Sequence, residues 1–140
     1  LISSYYTINN YFEILPNAAA NSGPVNDSTG YKQVGDYIKS LDDQSPRIMT
    51  RRESISFYAN GITIYTPGQH FTKKEIYDYL KLWDVDYIIA NRDNIGDTEG
   101  MMFLMRDEKL PEWVVPIKVF GQGSERIIIY RFLGDELSLV

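Results

Sequence analysis

The 140 residues include no cysteine. That excludes a disulfide framework, a thiol nucleophile and a thiolate metal site, and it leaves the compartment open. Histidine is nearly absent too. The single His70 lies in the polar turn Pro67-Gly68-Gln69-His70, whereas a catalytic triad needs a nucleophile and an orienting acid close to it in space. With carboxylates as the only remaining metal ligands and no calcium-loop spacing, no metal site is expected. Base is in deficit, 14 Lys and Arg against 19 Asp and Glu for a net charge of −5, so nucleic acid is not an expected partner, because phosphate contacts need clustered cations. No apolar run approaches the ~18 to 20 residues of a transmembrane helix. The chain opens on Leu1 without a basic, then apolar, secretory leader, so the expectation is an excised piece of something longer, with a processed mature protein as the rival. Phosphate-binding glycine motifs are missing as well. Gly121-Gln122-Gly123 sits between two strand candidates, not between a strand and a helix, and no nucleotide cofactor is expected.

What is present describes an ordinary globular chain. Hydrophobic residues make up 44% and charged residues 24%, and the length suits one domain with a real core. Aromatic content reaches 14%, with eleven tyrosines; polar-edged core aromatics account for this more simply than a carbohydrate- or membrane-facing surface.

Residues 1–30 read as an irregular lead-in. Tyr5, Tyr6, Tyr11 and Phe12 cluster near the start, and the second half is rich in Pro, Asn, Ser and Gly. These aromatics either pack onto the domain or form an interfacial belt after a removed membrane span. Asn26-Asp27-Ser28 is a glycosylation sequon.

From residue 31 to 140 a single α/β domain is expected. Tyr31, Val34, Tyr37, Ile38 and Leu41 form a helix stripe with Ser28 or Thr29 as N-cap. Pro46 follows its end, and Arg47 to Thr50 is the first strand. Arg51-Arg52-Glu53 opens a short helix through Ile55, Phe57 and Tyr58, closed by Asn60-Gly61. Ile62 to Tyr65 is the second strand. The clearest unit is Thr72 to Asn91: a capping box on Thr72 and Glu75, an apolar face of Ile76, Tyr79, Leu80 and Trp83, then the continuous apolar run Tyr87 to Ala90 of a strand covered on both faces. Asp84 and Asp86 fall between them. Acid–base work would require both carboxyls to face one bond; ending the helix is the simpler role. A polar loop follows Asn91, then a short helix over 101–110 with Met102, Met105 and Leu110 inward, then strands 113–120 and 126–132 as a hairpin. The expected fold is a three-layer Rossmann-like sandwich, mostly parallel, with order 2-1-3 for the first three strands and a C-terminal antiparallel hairpin.

In such a sheet the loops after the first and third strands share the carboxyl edge, where strand order reverses. Thr50, Arg51 and Arg52 come from one, Asn91, Arg92 and Asp93 from the other, with Tyr58 on the following helix as an apolar face. Arginine forks suit phosphate, and Asn and Asp suit sugar hydroxyls. The competing reading is solvated helix-start and loop charges.

Three segments together carry a resemblance: Tyr31-Lys32-Gln33-Val34-Gly35-Asp36-Tyr37-Ile38; Arg47-Ile48-Met49-Thr50-Arg51 with Phe57-Tyr58-Ala59; and Tyr79-Leu80 with Val85-Asp86-Tyr87-Ile88-Ile89, closed by Ile127-Ile128-Ile129-Tyr130-Arg131. The chain resembles the C-terminal extracytoplasmic domain of multi-pass membrane glycosyltransferases of the dolichyl-phosphate-mannose protein mannosyltransferase type. The resemblance implies a domain on the extracytoplasmic face of a membrane, not catalytic alone, whose partners are its own transmembrane region and a lipid-linked sugar or acceptor. In these families the catalytic acids lie in loops between membrane helices, so no catalytic residue carries over to this sequence, and no cofactor is implied. Leu82-Trp83-Asp84-Val85-Asp86 only faintly echoes the WWDxG motif of the oligosaccharyltransferase branch, with one tryptophan and no glycine. The alternative is a free-standing small Rossmann-like transferase or ligand-binding domain. A transferase of that kind needs a glycine-rich turn after the first strand, where Thr50-Arg51-Arg52-Glu53 stands.

Overall fold

The computed structural model describes residues 27–42, 44–106 and 109–134, with side chains from residue 30. The aromatic lead-in and the Asn26 sequon lie outside the described residues.

Helix α1 (Asp27–Leu41) leads into β1 (Arg47–Met49), α2 (Glu53–Ala59), β2 (Ile62–Ile64), α3 (Lys73–Leu82), β3 (Tyr87–Ala90) and the single turn α4 (Arg92–Ile95). A 3-10 helix (Glu99–Leu104) then precedes β4 (Val114–Phe120) and β5 (Ile127–Phe132). The five strands form one sheet in the order β2-β1-β3-β5-β4. β1 pairs in parallel with both β2 and β3, while β5 runs antiparallel to β3 and to β4. The sheet is therefore mixed, not mostly parallel, because the closing hairpin places its last strand against β3. Pro116 sits in β4, the outer strand, beside a bulge between Pro116 and Lys118, where a missing N–H and a register shift are both tolerated.

Alternation along the central strands builds two cores. Tyr87 and Ile89 of β3, with Ile127 and Ile129 of β5, face α1 and α2 and meet Val34, Ile38, Ile55 and Ala59. Ile88 and Ala90, with Ile128 and Tyr130, face the other way, toward Ile76 and Leu80 of α3 and toward Met101 and Leu104 of the 3-10 helix. A strand with no exposed face must be apolar throughout, and the Tyr87–Ala90 run is buried at every position. The Tyr130 hydroxyl donates to the Leu104 carbonyl at 2.7 Å, fastening the 3-10 helix onto the sheet.

Local signals act as their chemistry requires. The Thr72 hydroxyl accepts from the Glu75 N–H, and the Glu75 carboxylate accepts from the Thr72 N–H, closing the capping box of α3. Asn60 ends α2 in the left-handed conformation. Asp84 also has positive φ, 53°, and the Asp86 carboxylate accepts from the Arg47 N–H at 2.8 Å. The two acids thus turn the chain out of α3 and tie it to β1.

Other expectations are corrected. Helix α1 spans Asp27–Leu41, so both proposed N-caps, Ser28 and Thr29, lie within it, and Gly30 is buried. Leu41, Phe57 and Trp83 are exposed. Two turns of α2 bury one stripe, Ile55 and Ala59, leaving Phe57 on the outer side, and Trp83 has passed the last helical residue to become the C-cap. The loop after Asn91 contains α4, and the helix expected over 101–110 is a 3-10 helix ending at Leu104. Its tighter winding turns Met101, Phe103 and Leu104 inward, leaving Met102 and Met105 half-exposed while Leu110 is buried.

Candidate functional site

The carboxyl ends of β1 and β3 lie side by side because the strands pair in register, Ile48 with Tyr87 and Met49 with Ile88. Helix α2 leaves β1 toward one core and α3 enters β3 from the other. The residues just past the strand ends consequently meet over the point where strand order reverses.

Asn94, on α4, is at the centre and has no exposed surface. Its side-chain carbonyl accepts from the Thr50 hydroxyl and, at 2.8 Å, from the Arg51 N–H. Its amide donates to the Asn91 carbonyl oxygen at 2.6 Å, and that same oxygen caps α4 by accepting from the Asn94 N–H at 2.9 Å. The Asn91 amide donates to the Tyr31 hydroxyl at 3.3 Å, which donates to Asp93 at 2.9 Å. Asp93 is also paired with Arg52 at 3.0 Å, and the Arg52 guanidinium stands 5.9 Å from the centre of the Tyr31 ring. Burial raises the Tyr31 phenol above its ordinary value, opposed by the Asn91 hydrogen bond. Tyr31 and Asp93 raise Arg52 in turn.

Arg51 turns aside. Its Nη2 donates to the Thr98 hydroxyl at 3.0 Å, and that hydroxyl donates to the Pro67 carbonyl at 2.9 Å. Gly96, with φ of 57°, lies against the Arg51 guanidinium, where a Cβ would collide with it. The backbone angle calls for glycine there, whereas the guanidinium, the far end of a flexible side chain, can shift to admit a Cβ.

Six of the seven proposed site residues therefore stand at this edge, and five of them, Thr50, Arg51, Arg52, Asn91 and Asp93, are hydrogen-bonded into it. Arg92 stays exposed on the rim of a shallow cavity of about 280 Å³ floored by Ile95, Met102 and Met105. Tyr58 is elsewhere: its Cβ faces Gly35 across the α1–α2 seam and its ring lies 5.3 Å below Lys32 Nζ. Sequence reasoning missed Asn94 and Thr98, and it took Tyr31 for core alone. The available signal was the Asn91-x-x-Asn94 spacing, an Asn N-cap followed three residues on by the amide it serves. His70 is exposed in its turn.

Comparison with protein-family models, with curated proteins and with solved structures returned no match.

Proposed function

We propose that the chain is a non-catalytic extracytoplasmic domain of a membrane-embedded glycosyltransferase that uses a lipid-phosphate-linked sugar, and that its carboxyl edge helps to position donor or acceptor. The sheet is read as Rossmann-like, with β2-β1-β3 as its parallel half. The observation that carries the reading is how the edge is built. Asn94, Asn91, Thr50 and Tyr31 bond to one another, which makes a rigid platform in place of a reaction centre. Arg92 stands on its rim and makes no ion pair among the described residues, a cation available to a phosphate.

The free-standing transferase is less well supported. A cofactor phosphate would need the amides after β1, yet the Arg51 N–H donates to Asn94 and the Arg52 N–H to the Thr50 hydroxyl at 3.0 Å. Titrating isotope-labelled domain with a polyprenyl-phosphate analogue and with short oligosaccharides tests the platform. Shifts confined to residues near 50–53 and 91–96, lost in Arg92→Ala, are expected; shifts elsewhere, or none at millimolar ligand, refute it. Membrane spans encoded upstream of Leu1 would support the parent enzyme, and a start codon close by would defeat it.

A further inference from the structure

A larger cleft, about 570 Å³, opens at the opposite edge of the sheet, between the end of α1 and the hairpin. Two carboxylates, Asp42 and Asp86, line it together with the phenols of Tyr37 and Tyr87. Leu41, Ile117 and Phe132 form its apolar wall. The Asp86 carboxylate is anchored, since one oxygen accepts from the Arg47 N–H, and the Asp42 carboxylate accepts from the Gln44 N–H at 2.9 Å.

Tyr87 makes this more than an acidic cluster. It is only 7% exposed, its side chain lines the cleft, and its hydroxyl makes no hydrogen bond among the described residues. The hydroxyl is not among the solvent-sealed atoms that lack a partner, so it opens into the cleft. Here the hydroxyl lies within electrostatic reach of Asp42, Asp86, Arg131 and Tyr37 and bonds to none of them, which leaves its partner to come from the cleft.

We propose that this cleft binds a linear aliphatic amine, with its ammonium group held by the Asp42 and Asp86 carboxylates and the Tyr87 hydroxyl and its alkyl stem against Leu41, Ile117 and Phe132. An ammonium is the donor-only group that suits carboxylate and phenol oxygens together. A carboxylate or phosphate ligand would face two acids. The lining itself carries two acids against the one guanidinium of Arg131, and the chain's net charge of −5 draws cations toward it. Burial, then the neighbouring Asp42 and Asp84 charges, raise the Asp86 carboxyl, while Arg47 lowers it through a backbone hydrogen bond and through its charge. Arg131 on β5, Tyr37 on α1 and Tyr87 on β3 are the other ionisable groups on the cleft wall, and Lys118 on β4 stands 5.5 Å over the Tyr37 ring. An ammonium there supplies the positive charge that Asp86 is short of.

The test is a titration of isotope-labelled protein with 1,4-diaminobutane, followed through the carboxyl carbons of Asp42 and Asp86, with 1,4-butanediol and glucose run in parallel. Saturable binding of the diamine alone is expected, with the Asp86 titration midpoint moving to lower pH on saturation. Tyr87→Phe, which keeps the ring, should weaken binding roughly threefold, and Asp42→Asn about tenfold, with each variant's unfolding midpoint reported to show that it folds. Equal response to butanediol or glucose, binding unchanged in both folded variants, or no saturation at millimolar diamine overturns the proposal.

Discussion

Asn94 has one side-chain carbonyl and one amide, and both are engaged with residues from two different strand ends. Substituting alanine would strand the Thr50 hydroxyl proton and the Arg51 N–H in a site without solvent, and leave the Asn91 carbonyl with the Asn94 N–H alone. Losing buried partners of this kind costs roughly 2–4 kcal/mol, so Asn94→Ala should unfold at clearly lower urea than the parent while Asn94→Asp falls between. Arg52→Ala removes a half-exposed pair to Asp93 and the guanidinium over the Tyr31 ring, each expected to contribute less than about 1 kcal/mol. Asp86 behaves differently because it titrates. Burial holds its folded carboxyl above the ordinary value of 3.8, so in the interval between the two values the folded state keeps a proton that the unfolded state has released. Stability from this group is complete below the ordinary value and falls as pH rises through the interval. Urea midpoints measured across acid pH should show that slope, and Asp86→Asn, which can still accept from the Arg47 N–H, should flatten it.

At the scale of elements, α1 and α2 meet in a close seam. A Cβ on Gly35 would lie 2.5 Å from the Tyr58 Cβ and 2.7 Å from the Ile55 carbonyl oxygen. One of these is backbone, so the helices must part. Gly35→Ala gains helix propensity in the interior of α1 yet should lose about 1–3 kcal/mol net through overpacking, and Gly35→Val more. A stability equal to or above that of the parent would show that the seam gives way. The same element shows why parts of the fold were legible in the sequence and others were not. The capping box of α3 and the αL end of α2 are set by residues within four positions of each other, so the sequence displays them directly. The Tyr87–Ala90 run reveals a doubly covered strand because burial on both faces admits nothing polar. Phe57 misled because helical spacing does not say which stripe a two-turn helix turns inward; Gly35 on α1 decides that. The candidate edge was half legible: loops after parallel strands share an edge by topology, which placed Thr50 to Arg52 beside Asn91 to Asp93. That Asn94 would bond those loops together depends on the register of β1 and β3, and no local pattern carries it.

For the molecule as a whole, the sheet order sets the distribution of stability. β3 lies between β1 and β5, buried at every residue, and β5 is buried at every position except Arg131. β2 is an outer strand of three residues with Ile62 exposed, and it pairs on one side only. The other outer strand, β4, pairs through most of its length but is interrupted by the bulge at Ile117. Both cores meet across β3 and β5, so opening either strand exposes both at once, whereas β2 can leave with Ile64 as its sole buried side chain. Amide exchange should follow this asymmetry. The slowest amides, reporting global unfolding, are expected at Ile88, Ile89, Ile128 and Ile129. The amides of β2 should exchange through a smaller opening, with a weaker denaturant dependence. If Ile64 and Ile89 instead exchange at the same free energy and with the same denaturant slope, β2 belongs to the central cooperative unit, and the short outer strand is held by more than its pairing with β1.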